Sequence, residues 1–139
     1  MKVRDLMTRD LVTLDADENL LLADDVMRLG RIRHLPVVDG EKLVGLVSHR
    51  DILQASVSSL AGLSRTEDAT IKMSIPVREV MREEMVTIGP DEEALKACTT
   101  ILEKKLGCLP VVSEDGDLLG IVTEADFVEL ARRYLEQLS

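Results

Sequence analysis

The chain has 139 residues, 45% of them apolar and 1% aromatic, with a formal charge of −9 from 26 acidic and 17 basic side chains. That length allows one compact domain or two very small ones, around an aliphatic core of Leu, Val, Ile, Met and Ala. The acidity excludes a general phosphate-backbone binder, and with Phe127 and Tyr134 as the aromatics there is no stacking platform for single-stranded nucleic acid.

In chain order, "LVTL" (11–14) is a short β-rich run, followed by a helix start with Asp15 at the N-cap and Glu18 three residues on. "LPVVDGEKLVGLVS" (35–48) reads as a hairpin whose turn is marked by Asp39-Gly40, and a helix follows at Asp51. Residues from about Ser56 to Ile75 read as a linker. "MVTI" (85–88) is a second β-rich run, and Gly89-Pro90 sets proline at a first helical position. Ala94, Ala97, Cys98, Ile101 and Leu102 recur at helical spacing. A second hairpin turns at Asp115-Gly116. The closing helix carries Phe127, Leu130, Ala131, Tyr134, Leu135 and Leu138 at spacings of three and four.

No apolar run approaches the roughly eighteen residues that span a membrane. The charged start "MKVRDLMTRD" shows no signal peptide. Cys98 and Cys108 fit neither a disulfide framework nor a paired metal motif, and read as reduced thiols of a cytoplasmic protein.

The chain repeats itself. A slide of 74 positions sets Val3 on Val77, Arg4 on Arg78, Met7 on Met81, Val12-Thr13 on Val86-Thr87, Asp17-Glu18 on Asp91-Glu92, and "LPVV" on "LPVV". One extra residue in the second hairpin turn then aligns Leu43, Gly45, Val47 and Asp51 with Leu118, Gly120, Val122 and Asp126. The expected organisation is therefore a first repeat over 1–55, a linker over 56–76 and a second repeat over 77–139. Each repeat is an α/β unit of order β-α-β-β-α, with one right-handed crossover. About fifty residues bury too little surface to stand alone, so two repeats are expected to pack with pseudo-two-fold symmetry. Clefts at such a boundary are natural ligand sites.

"GLVSHRD" and "GIVTEAD" lie where a strand runs into a helix. Ser48 and Thr123 suit N-caps, and Asp51 and Asp126 fall at the third helical position, where a carboxylate closes a capping box. The same groups also suit a nucleotide. A helix start can receive a phosphate, and an aspartate has two acceptor oxygens for vicinal ribose hydroxyls. Gly45 and Gly120 permit close approach of another group to the strand. Both readings stand at this level.

The pair "VRDLMTRDLVTL…LPVVDGEKLVGLVSHRD" and "VREVMREEMVTI…LPVVSEDGDLLGIVTEAD" resembles tandem CBS (cystathionine β-synthase) domains, a Bateman module. The resemblance implies a non-catalytic regulatory module that binds AMP, ADP, ATP or S-adenosylmethionine in clefts between repeats, without an obligatory cofactor. It implies phosphate contacts at Ser48 and Thr123, and ribose contacts at Asp51 and Asp126. It places Leu46 and Ile121 beside adenine, Val12, Thr13, Val86 and Thr87 in the base pocket, and Arg33, His34, Gly107 and Cys108 near phosphates. Arg50, Pro36 and Pro110 complete the candidate ligand-binding set. It also implies a homodimer through the repeat helices and a regulated partner protein.

The halves differ. Arg31, Arg33, His34, His49 and Arg50 stand near the first motif, against Gly107, Cys108, Glu124 and Ala125 near the second, with Lys104 and Lys105 slightly upstream. A solvated charged face explains this as readily as a phosphorylated ligand at Asp51 and a less anionic one, or none, at Asp126. His34 and His49 lack partners at metal-ligand spacing. Met7, Met27, Met81 and Met85 read as filling for a core or interface. With no Ser-His-acid order, P-loop or opposed carboxylates, an enzyme is not expected.

Overall fold

The structure is a computed structural model that describes residues 1–55, 62 and 64–139. Its elements run α1 (Val3–Leu6), β1 (Leu14–Asp15), α2 (Leu20–Gly30), β2 (His34–Asp39), β3 (Lys42–Ser48), α3 (His49–Ala55), α4 (Arg65–Ser74), a 3-10 turn (Val77–Glu79), α5 (Ala94–Lys104), β4 (Cys108–Val112), β5 (Leu118–Thr123) and α6 (Glu124–Leu138). The fold is mixed α/β. Two compact units emerge, Val12–Met85 and Met1–Leu11 with Val86–Ser139. They cut the chain elsewhere than the sequence repeats do, because each repeat's opening segment packs with the other repeat.

In the unit Val12–Met85, β1 pairs parallel with β2 (Leu14 against Val37), and β2 pairs antiparallel with β3 from His34/Ser48 to Asp39/Lys42. Gly40 takes the left-handed turn at φ +63°. Leu14, Leu20, Ala23, Met27, Leu35, Val37, Val47 and Ile52 form the core, and Val77, fully buried, joins them from the second repeat's opening. Burying one such valine stabilises by about 1.5–3 kcal/mol, which fixes where that segment lies.

The other unit repeats the plan. Here β4 and β5 form the hairpin, with Ile88 bridged in parallel to Val111. Ile88, Ala97, Ile101, Leu109, Val111 and Val122 form its core, and fully buried Val3 takes the place that Val77 has in the first. The backbone contacts match as well. Val3 N–H donates to the Glu92 carbonyl at 2.9 Å, and Val77 N–H to the Glu18 carbonyl at 2.7 Å. Arg4 pairs with Asp91, as Arg78 pairs with Asp17.

Three local expectations need correction. Strand pairing reaches only Leu14–Asp15 in the first β-rich run and a single bridge at Ile88 in the second, so Val12, Thr13, Val86 and Thr87 lie outside strands. The first long helix is capped by Asn19, which accepts from Leu22 N–H at 3.0 Å; Asp15 instead closes a turn onto Asp17 N–H at 3.1 Å. Its counterpart starts at Ala94, because Gly89–Glu92 is a turn closed by the Glu92 carboxylate on Gly89 N–H at 2.6 Å. An early proline and acid-rich turn imitated a helix start that tertiary packing moved downstream.

The linker reading partly falls on residues 56–61 and 63, which lie outside the described residues. Its later part is a helix: α4 is capped by Ser64 on Glu67 N–H and packs on α2. Lys72 of α4 bonds both Asp24 and Asp68 at 3.0 Å, with only 12% of its side chain exposed. Burial pulls the Lys72 ammonium down, but hydrogen bonds and attraction from the two carboxylates more than offset this, leaving its pKa raised.

Candidate functional site

Each repeated motif closes a capping box. Asp51 Oδ2 accepts from Ser48 N–H at 2.9 Å, and Ser48 Oγ accepts from Asp51 N–H at 3.1 Å. In the other unit Asp126 Oδ2 accepts from Thr123 N–H at 2.8 Å, and the Thr123 side chain completes the box. The capping reading is thus met in both copies. It uses one carboxylate oxygen of each aspartate and leaves the other for something else.

That second oxygen is held by the exchanged segment. Arg82 Nε donates to Asp51 Oδ1 at 3.3 Å, and Thr8 Oγ1 donates to Asp126 Oδ1 at 3.1 Å. Thr8 and Arg82 occupy equivalent positions of the two repeats. Their backbones bridge equivalent strand residues too: Thr8 pairs with Ile121 and Arg82 with Leu46. Sequence reasoning missed both residues. The signal was present as the aligned stretches "DLMT" and "EVMR", but nothing in a linear comparison says that a segment contacts the other copy.

The glycines explain how the segment fits. A Cβ on Gly120 would lie 2.8 Å from the Thr8 carbonyl oxygen and from Met7 Sδ, and one on Gly45 would lie 2.8 Å from Met81 Cγ. The group that approaches these strands closely is therefore a methionine of the exchanged segment. Asp51 is 7% exposed whereas Asp126 is half-buried.

The remaining candidates cluster around these motifs. In the unit Val12–Met85, His34 opens β2 opposite Ser48, Pro36 pairs with Leu46, and the Arg33 carbonyl accepts from His49 N–H at 2.8 Å. Arg33, His49 and Arg50 are exposed, with Arg50 beside Asp51 in the first turn of α3. In the other unit Cys108 opens β4 opposite Thr123, and Pro110 pairs with Ile121. Cys108, Pro110 and Ile121 are buried. Burial pushes the Cys108 thiol up to about 12, so it is a neutral filler rather than a nucleophile. Val12, Thr13 and Thr87 are exposed and Val86 half-buried, each just ahead of a residue that pairs with the hairpin. Among the described residues no group of His, Cys, Asp and Glu could hold a metal ion. No helix among them is long and apolar enough to cross a membrane.

Twin strand–helix corners, each carrying a capped aspartate, define a duplicated α/β fold. The family profile named "CBS domain" matches residues 3–58 and again 77–133, and the chain belongs to that family as a tandem pair, a regulatory rather than a catalytic module. Among solved structures it is similar to a Vibrio cholerae chain ascribed to acetoin utilization (AcuB), at 36% identity and a TM-score of 0.82, covering 98% of this chain and 93% of that one. It is also similar to CBSX2, solved in complex with AMP, at 27% identity and a TM-score of 0.79, covering 96% and 97% of the two chains. Among curated relatives, an inosine-5'-monophosphate dehydrogenase of Korarchaeum cryptofilum (strain OPF8) is 32% identical over 125 residues, which are 90% of this chain and 23% of that protein. The chain therefore spans about a quarter of that enzyme's length. A CBS domain-containing protein of Dictyostelium discoideum is 31% identical over 136 residues, with 96% and 93% covered.

Proposed function

We propose that the chain is a ligand-responsive regulatory module that binds adenosyl compounds, of the AMP, ADP, ATP or S-adenosylmethionine class, at its Ser48/Asp51 and Thr123/Asp126 corners. The observation that carries the reading is the twin arrangement of the aspartates. One oxygen of each is fixed by a capping box, and the other is held by a single side chain that a ribose hydroxyl can replace. The AMP complex of CBSX2 supports the choice of ligand class. Ser48 and Thr123 would meet the ligand's 5′ substituent, a phosphate where it carries one, Asp51 and Asp126 ribose, and Leu46, Pro36, Ile121 and Pro110 the adenine, with Val12, Thr13, Val86 and Thr87 at its edge. Arg33, His34, Arg50 and Cys108 complete the contacts.

Occupancy would reach a partner protein through the segments carrying Thr8 and Arg82, since a ribose on the aspartate must turn their side chains off its second oxygen. A homodimer through the repeat helices belongs to this proposal, supported by the exposed Leu29, Leu95, Leu102, Val128, Tyr134 and Leu135. So does a cytoplasmic setting, where the unpaired thiols Cys98 and Cys108 fit.

Thermal unfolding with and without AMP, ATP or S-adenosylmethionine tests the reading. A ligand at a hundred times its Kd stabilises by about 2.7 kcal/mol, and that gain should fall away in Asp51→Ala or Asp126→Ala. No shift with any of the three at millimolar concentration, together with no calorimetric heat, would overturn it. A second reading, a scaffold whose motifs are caps alone, is favoured by the completeness of both capping boxes. It predicts that the same variants lose stability while no nucleotide protects the parent.

A further inference from the structure

Each aspartate is held by a capping box and by one side chain of the exchanged segment, and those two side chains differ in charge. We infer that Arg82 and Thr8, each reaching an aspartate of the other repeat, set the charge of the ligand accepted there: an anionic adenosyl ligand at Asp51, and an uncharged or cationic one at Asp126. The inference rests on the adenosyl-binding reading above and adds specificity residues to it.

Arg82 spends only Nε on Asp51, and its side chain is 64% exposed. Its two terminal nitrogens keep four donors in the planar fork that suits a phosphate bidentately. They are unbonded among the described residues, and Arg82 lines an open hollow with Arg78, Met81, Glu83 and Glu84. Thr8 has one donor, already given to Asp126, and no charge.

Most neighbouring positions agree, although Lys104 upstream of Cys108 stands against Gly30. Arg33 and Arg50 accompany Asp51, where Gly107 and Ala125 accompany Asp126. His49 is matched by Glu124, which adds a negative charge beside Asp126. The position after Thr8 and Arg82 runs the other way, Arg9 against Glu83. Arg9, however, gives its guanidinium to the Arg4 carbonyl at 3.5 Å.

AMP and adenosine differ only by the phosphate, so their affinity ratio reads this effect directly. Calorimetric titration of the full chain with each, in Asp126→Ala and Asp51→Ala backgrounds, assigns a ratio to each corner. At the Asp51 corner AMP should bind at least about tenfold more tightly than adenosine, the scale of one charge-assisted hydrogen bond. Arg82→Thr, which introduces the hydroxyl found at the equivalent position, should lower that preference several-fold while adenosine binding persists. Thr8→Arg should create an AMP preference at the Asp126 corner, and decides the question alone if Arg82→Thr does not fold. Ratios unchanged by both substitutions would overturn the inference and leave adenosyl binding standing. Binding of neither compound to the parent chain would overturn both.

Discussion

Thr8 donates its hydroxyl to Asp126 across 118 positions of sequence, at 3.1 Å. The bond joins the opening of the first repeat to the motif of the second, and Arg82 reciprocates on Asp51 at 3.3 Å. Each half of the molecule is thus completed by a segment borrowed from the other copy, so that residues of both repeats build each corner.

The glycines under these segments should be unequal. Gly120→Ala sets a Cβ 2.8 Å from a backbone oxygen, which cannot swing away, and should cost about 1–3 kcal/mol as an overpacking change. Gly45→Ala meets only the Met81 side chain and should cost less. Urea unfolding of the two variants measures the order, and the reverse order would refute the exchanged-segment packing.

Removing the carboxylates should also separate the copies. Asp51→Ala deprives Ser48 N–H and Arg82 of their acceptor at a buried position, and should cost about 1–3 kcal/mol. Asp126→Ala acts at a half-buried position with a neutral second donor, and should cost about 1 kcal/mol, the scale of a lost cap. Unfolding in ligand-free buffer checks the difference.

Lys72 ties α4 to α2 through two carboxylates. Its pKa is raised above the ordinary value of 10.5, so its contribution is complete below about that pH and is lost as pH rises through the folded value. Lys72→Met should cost about 1–3 kcal/mol at pH 7 and progressively less above pH 10.5. A stability difference between parent and variant that stays flat from pH 8 to pH 11.5 would contradict the assignment.

Thiol chemistry should distinguish the cysteines. Cys108, buried and with its pKa pushed up to about 12, should resist a thiol reagent at pH 8 in the folded protein, whereas half-buried Cys98 should be modified first. Mass spectrometry of peptides after timed labelling reads the two rates. Equal rates would mean that β4 opens far more readily than its packing implies.

The apolar side chains left on helix surfaces supply a test of assembly. Leu95 and Leu102 of α5 are 76% and 71% exposed, on a helix whose Ala94, Ala97 and Ile101 face the core. If this face joins two copies, Leu95→Lys with Leu102→Lys should shift the sedimentation of the parent dimer to that of a monomer while secondary structure is retained. A parent that already sediments as a monomer would remove the dimer from the proposal.

Much of this molecule was legible before any coordinates. The slide that aligned Val3 with Val77, "LPVV" with itself and Asp51 with Asp126 defined a duplicated α/β chain. The hairpins and the Ser48/Asp51 and Thr123/Asp126 caps followed from local rules, because turn and capping chemistry act within four residues. Local rules failed where packing overrode them. Asp15 and Pro90 mark plausible helix starts, yet the helices begin at Leu20 and Ala94, where the apolar face first meets the core.

What the amino-acid order determined by itself was the repeat, the elements of each copy and the twin carboxylates. What only tertiary structure decided was the exchange: Val3 and Met7 pack with the second hairpin, Val77 and Met81 with the first. A repeat comparison is blind to this, since equivalent segments fit equivalent grooves in either copy. The geometry alone chose the pairing, and it set Thr8 beside Asp126 and Arg82 beside Asp51, the one difference in charge that touches the carboxylates themselves.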